Sequence, residues 1–261
     1  MASRQHSTPL RIVSLAPSVT SMLCEIGAKP LLVGVTKWCA DVAPVGGLPK
    51  LGDCWHLKSV DEIVRLRPTL VIGSVPFKAD TVGKLLNQPF AFLTLNPRSL
   101  ADVDSDIRLL ASITGRQSSG ERLVNRMSDV FRRIGVSVRN RKRPVRVYCE
   151  AWPNPRISSP PWVAELVELC GGETVVPAGQ RVTDAQVAAA RPHAIVLAWA
   201  ATGAKSNPRK AYSVSAWKET PAIHNRYVHV IRDELLNTPG PPLMKGACML
   251  ARILRGVEAA G

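Results

Sequence analysis

Two stretches of this chain, 124 residues apart, follow one pattern. Ser59-x-x-Glu62, then Arg67-Pro68, then Leu70-Val71-Ile72 recurs as Thr183-x-x-Gln186, Arg191-Pro192 and Ala194-Ile195-Val196. Each copy reads as a capping box, a short helix, an Arg-Pro stop and a buried strand. Parts of such a match are generic to any helix-to-strand turn, but the full ordered recurrence points to a duplicated lobe. At 261 residues the chain is long enough for two lobes of roughly 100 residues each.

Strand and helix signals alternate around both copies. Residues 11–15 form a short apolar run stopped by Pro17, and Ser18 is placed to cap a helix carrying Val19, Met22, Leu23 and Ile26 that ends at Gly27. Further strands are expected at 31–35 and 91–94. Ser99 and Asp102 open a helix reaching about 113, Thr114-Gly115 breaks it, and a second helix runs over 118–138. Leu123, Met127, Val130, Phe131 and Ile134 share one face of that second helix. Strands then return at 145–148, 194–197 and 227–231, with helices at 162–169 and 243–254. The fold class is therefore α/β, two Rossmann-like lobes with parallel-rich sheets joined by one long helix. The boundaries fall at 10–115, 116–140 and 141–261.

Composition narrows the function classes. No apolar run approaches the roughly 20 residues of a membrane span. The polar start, 1–9, has no apolar core, so the chain as written reads as cytoplasmic, or as a periplasmic or cell-surface protein whose leader was removed. The net charge of +14 comes from scattered basic residues. The densest cluster, Arg139, Arg141, Lys142, Arg143 and Arg146 with Arg132 and Arg133 before it, reads as a solvated helix end and loop and not as a nucleic-acid patch. Six cysteines show neither a C-x-x-C pair nor zinc spacing. Cys24, Cys170 and Cys248 are expected to be buried small hydrophobes, whereas Cys39 and Cys54 fall in loops. No oligomer seam is visible, so a monomer is expected.

In open parallel sheets a ligand sits beyond the carboxyl ends of the strands. Trp38 and Cys39 follow the strand at 31–35. Ser74, Pro76 and Phe77 follow 70–72, Trp152 follows 145–148, and Trp199 follows 194–197. Trp55 lies in the loop Gly52-Asp53-Cys54-Trp55-His56. Loop tryptophans often anchor a ligand. Each of these could instead plug its loop onto its own lobe, but together they suit a slot for a flat conjugated ligand. Trp162 and Trp217 fall in helical stretches and are assigned to packing. Of the five histidines only His56 stands beside other loop candidates. Axial ligation of a metal-bearing ligand by His56 or Cys39 is the one metal role this leaves open. No glycine-rich phosphate loop or G-x-S-x-G elbow occurs. Cys39, Asp53 and His56 could be drawn as the nucleophilic set of an enzyme handling a metallo-cofactor, yet nothing in their spacing requires it. The chain reads as a binder and not an enzyme.

Several motifs carry a family resemblance over about residues 10–255. Arg11-Ile-Val-Ser-Leu-Ala-Pro17-Ser18-Val-Thr20 resembles the opening strand and loop of the cobalamin- and siderophore-binding proteins of ABC importers, the helical-backbone metal-receptor type of periplasmic binding protein. Val33-Gly-Val35 with Cys39 and Asp41, the block 59–72 with Thr69 where aspartate is usual, Glu150-Ala-Trp152-Pro-Asn-Pro155 and Asn237-Thr-Pro239-Gly240-Pro241 are similar to later segments of that family. The resemblance implies capture of cobalamin or a related corrinoid in a cleft between two lobes, with no covalent cofactor. By position it implies contacts from Pro17, Ser18, Trp38, Cys39, Trp55, Ser74, Phe77, Trp152, Trp199 and Asn237. Iron-siderophore or haem is the alternative ligand. Siderophore binders usually carry cleft cations for an anionic ligand, and here the cleft loops offer Lys37 and few others. The family also implies an ABC permease partner docked through one surface carboxylate on each lobe. Asp80 matches in the first lobe; in the second, the loop 203–210 is basic and Glu219 is the nearest acid beyond it.

Overall fold

The structure, a computed structural model, describes residues 9–55, 57, 59–141, 143–200 and 206–259. Two compact units are seen. The first comprises residues up to Asn96 with Ser105–Leu123, the second Pro97–Asp104 with Val124–Gly261.

In the first unit β1 (Ile12–Ser14) leads into α1 (Pro17–Glu25), β2 (Leu32–Thr36), β3 (Lys50–Leu51), α2 (Asp61–Arg65), β4 (Leu70–Ser74), α3 (Ala79–Leu86) and β5 (Ala91–Leu95). The five strands are all parallel in the order β3-β2-β1-β4-β5. Every residue of β1 and β4 is buried, as expected of central parallel strands read from unbroken apolar runs. Val13, Leu15, Leu51, Ile63, Val71 and Leu85 form one core there.

Two long helices follow, α4 (Leu100–Ile113) and α5 (Gln117–Val138), separated by Gly115 at φ 66°. Ser99 Oγ accepts the Asp102 N–H at 3.0 Å, and the Asp102 carboxylate accepts the Arg98 N–H at 2.7 Å. The first bond satisfies a donor that the first turn of α4 would otherwise leave open, and the second ties the Asp102 carboxylate to the chain entering the helix. The division between units passes through both helices, after Asp104 and after Leu123. α5 is continuous for 22 residues, with Leu123, Met127, Phe131 and Ile134 buried along one face.

The second unit continues with β6 (Val145–Pro153), β7 (Arg156–Ser158), α6 (Pro161–Leu169), β8 (Gly172–Thr174), α7 (Asp184–Ala189), β9 (Ala194–Leu197), α8 (Arg209–Tyr212), α9 (Pro221–His224), β10 (Val228–Val230), α10 (Asp233–Leu236) and α11 (Leu243–Ala259). β8, β6, β9 and β10 are parallel neighbours with the connectivity of β2, β1, β4 and β5. β7 is the departure: it turns back antiparallel along the carboxyl half of β6.

The repeat extends to hydrogen bonds. In the first unit the Arg11 guanidinium donates to the carbonyls of Leu66 and Arg67 at 2.7 and 2.9 Å, and the Arg11 N–H donates to Thr69 Oγ1 at 2.9 Å. In the second, Arg146 Nη2 donates to the Ala190 carbonyl at 2.7 Å, and the Arg146 N–H to His193 Nδ1 at 3.2 Å. Leu66 and Ala190, like Thr69 and His193, stand 124 residues apart. Both Arg-Pro stops are left-handed, Arg67 at φ 46° and Arg191 at φ 43°.

Some details depart from the sequence reading. Ser18 is buried and does not cap α1; Pro17 occupies the first helical position, where a missing N–H costs nothing, and Ala16 precedes it. The Ser59–Glu62 capping box does not form, because Ser59 Oγ is satisfied two residues on, accepting the Asp61 N–H and donating to its carboxylate. The Thr183–Gln186 box forms in full, at 2.8 and 3.2 Å. Cys248 lies exposed on α11 and Cys24 is half-buried, while Cys39 and Cys54, placed in loops by sequence, are buried. Within the basic cluster Arg141 has structural partners, donating to the carbonyls of Gly171 and Leu254.

Candidate functional site

The first unit presents its candidates at the carboxyl ends of its strands. Pro17 is half-buried at the start of α1. Trp38 is half-buried in a 3₁₀ turn over Lys37–Asp41, with Lys37 Nζ 4.4 Å from the centre of its ring. Trp55 is 45% exposed, its N–H held by the Asp53 carboxylate at 2.9 Å and Lys78 Nζ 5.3 Å from its ring. Ser74 ends β4 with its side-chain oxygen buried and without a hydrogen-bond partner among the described residues. Phe77 is half-buried against its own unit's core. A Cβ on Gly73 would lie 2.7 Å from Cys54 Sγ and 3.2 Å from the Phe77 ring, so the absence of one lets both close over the strand. Asp80 is exposed in the first turn of α3.

Cys39 does not face outward as a ligand or nucleophile would. It is fully buried, with its sulfur 3.0 Å from Thr20 Oγ1 and 3.2 Å from Thr36 Oγ1, and burial pushes its thiol pKa up, away from thiolate. His56 lies outside the described residues. Among the described residues no group of three or more His, Cys, Asp or Glu could hold a metal ion.

In the second unit the site is organised by a residue to which the sequence reading gave no role. Glu150 has no exposed surface, yet it is a carboxylate on β6. Its Oε1 accepts the Trp199 indole N–H at 2.8 Å; its Oε2 accepts the Tyr148 hydroxyl at 2.7 Å and Arg156 Nη1 at 2.8 Å. Arg156 also pairs with Asp184 and lies 4.2 Å over the Trp217 ring, which Tyr148 meets edge-on at 5.7 Å. Such saturation is what a buried carboxylate requires. Burial and the neighbouring Glu150 carboxylate push the Tyr148 hydroxyl pKa up, so it stays a donor. The signal was present in the sequence: Tyr148 and Glu150 alternate on one face of an apolar strand, and a lone acid there needs a partner.

Around this cluster the predicted residues separate. Trp152 is 40% exposed, its indole N–H donating to the Asn154 carbonyl at 2.8 Å. Trp199 is only 4% exposed and belongs largely to the core with Trp217, although it borders a recess of about 390 Å³. Glu150, Arg156, Leu197, Lys210, Val214 and Trp217 also line that recess. Asn237 Nδ2 donates to the Ala198 carbonyl at 2.5 Å, while its Oδ1 is buried without a hydrogen-bond partner among the described residues. Trp162 and Trp217 are buried packing residues, donating to the carbonyls of Leu236 and Asp184.

A periplasmic binding protein family profile matches residues 12–235. The chain belongs to the periplasmic binding protein family. Over 267 residues it is 26% identical to an uncharacterised ABC transporter substrate-binding lipoprotein, YvrC, of Bacillus subtilis, covering 96% of this chain and 82% of that one. A vitamin B12-binding protein of Pectobacterium carotovorum is 23% identical, over 95% and 89% of the two chains. In fold, this periplasmic binding protein superposes on the haem-binding RhuT of Roseiflexus with a TM-score of 0.80 at 21% identity, over 96% and 99%. Family members are substrate-binding components of ABC transporters and not enzymes, which sets aside the catalytic reading of Cys39, Asp53 and His56. They take a small-molecule ligand and deliver it to a permease. Among the described residues no helix is long and apolar enough to cross a membrane.

Proposed function

We propose that this periplasmic binding protein captures cobalamin or a related corrinoid for an ABC permease. The observation that carries the reading is the exposure of Trp55 and Trp152, 45% and 40%, the first in the loop after β3 and the second at the carboxyl end of β6 itself. Large indole faces left in water are costly and suit a flat conjugated ligand. Two relatives named for vitamin B12, each matching 95% or more of the chain, support the same ligand class. Pro17, Trp38, Ser74, Phe77 and Asn237 are the accompanying contacts. Ser74 Oγ and Asn237 Oδ1 are polar atoms that a ligand's amide groups could satisfy. Asp80 is the carboxylate for permease docking in the first unit.

The test is a titration of the purified protein with cyanocobalamin and, separately, aquocobalamin, following corrin absorbance and tryptophan fluorescence. Saturable quenching at micromolar affinity or tighter is the expected result. No quenching with either sinks the corrinoid reading. Haemin is then the next ligand, favoured by the fold shared with a haem-binding protein.

A further inference from the structure

The recess beside Trp199 lies wholly within the second unit. Its polar groups are one-sided. Glu150 is withdrawn as an acceptor, since it has no exposed surface and accepts three hydrogen bonds, from Trp199, Tyr148 and Arg156. What lines the recess beyond it is donor-rich. A guanidinium has five N–H bonds, and Arg156 commits one each to Glu150 and Asp184. Lys210 lies with Nζ 5.5 Å from the Trp199 ring centre and makes no ion pair among the described residues. Pro153, Leu197 and Val214 supply apolar wall. The volume, about 390 Å³, is at the lower end of small-molecule sites. It suits one substituent of a large ligand.

We propose that this recess is a subsite for a carboxylate-bearing arm, as on a corrinoid whose side chains are free acids in place of cobalamin's amides, with Lys210 as charge partner and Trp199 as flat wall. Two cationic donors, with the Ser213 hydroxyl as the only uncommitted side-chain acceptor among the lining residues, favour an anion over an amine. An ammonium resting on an indole face gives up little to pair with a carboxylate. The proposal rests on the binding function above only in treating the arm as part of a larger molecule.

The whole protein is titrated with naphthalene-2-carboxylate, and with its methyl ester as the uncharged control. Binding is read on the indole N–H resonance of Trp199, assigned by its loss in Trp199→Phe. The acid should shift this resonance saturably and bind roughly ten- to a hundredfold more tightly than the ester, the range of one charge-assisted hydrogen bond. Lys210→Met should abolish the difference and Lys210→Arg should keep it; Lys210 is exposed, so neither change disturbs the core. No shift with either compound, equal binding of the two, or a preference that survives Lys210→Met overturns the proposal. Corrinoid binding without naphthoate binding defeats the subsite and leaves the function standing. The reverse defeats the corrinoid reading alone.

Discussion

The indole N–H of Trp199 donates to Oε1 of Glu150 at 2.8 Å, and that carboxylate has no exposed surface. Glu150 thereby fixes the orientation of the aromatic side chain that borders the recess. Tyr148 and Arg156 hold its other oxygen, so this wall of the recess is tied to a hydrogen-bonded cluster in the core.

Removing that carboxylate should be expensive. Glu150→Ala leaves the Tyr148 and Trp199 donors without their acceptor and the Arg156 charge with Asp184 alone. The expected loss is about 3–5 kcal/mol, the range for breaking one side of a buried ion pair. Glu150→Gln, which keeps an acceptor oxygen, should lose less. Urea melts of the two variants measure this. A loss under about 1 kcal/mol for Glu150→Ala would mean that water replaces the carboxylate without strain.

The six tryptophans should divide by exposure. Trp55→Ala and Trp152→Ala remove exposed faces, so corrinoid affinity should fall at least tenfold with the thermal midpoint nearly unchanged. Trp162→Ala and Trp217→Ala empty buried positions whose indoles also bond Leu236 and Asp184. These should lose about 3–5 kcal/mol of stability. Affinity unchanged in both exposed variants would mean that Trp55 and Trp152 take no part in binding.

The sequence was a good guide where a local rule had no competitor. The strands at 70–72 and 194–196, the break at Gly115 and the Thr183–Gln186 box follow from apolar runs, a glycine and a cap, and all are present. It misled where a side chain had two possible partners. Ser59 took the carboxylate of Asp61, so its capping box failed although the spacing was right. Burial was harder still. Trp152 and Trp199 both read as following strands; β6 instead runs on through Trp152, and only tertiary contact decides that this one stays in water while Trp199 turns to Glu150. Strands of two or three residues such as β3, β7 and β8 carry too few positions for a period to show.

Arg67 and Arg191 adopt left-handed backbone at equivalent points of the two units. A side chain there costs roughly 1–2 kcal/mol that glycine avoids, partly offset by glycine's greater freedom when unfolded. Arg191→Gly should therefore be neutral or stabilising by up to about 1 kcal/mol, and Arg191→Val, with its branched Cβ, should be destabilising. Chemical denaturation of the pair gives the sign. A clear loss in Arg191→Gly would mean that the arginine side chain itself does structural work at this turn.

Burial pushes the thiols of Cys54, Cys149 and Cys170 up from 9 to about 12. Between those values the unfolded chain has released protons that the folded chain keeps, so stability is fully present below pH 9 and declines as pH rises. Each thiol contributes about 1.4 kcal/mol per pH unit within the window. Urea midpoints at pH 8.0, 9.5 and 10.5 should fall progressively, and less steeply in Cys149→Val. Equal slopes for the variant and the parent would show that Cys149 reaches solvent in the native state. Thiol labelling at pH 8 provides an independent check. Cys248, exposed on α11, should react first, and Cys248→Ser should remove that fast phase while the buried thiols stay protected until the chain unfolds.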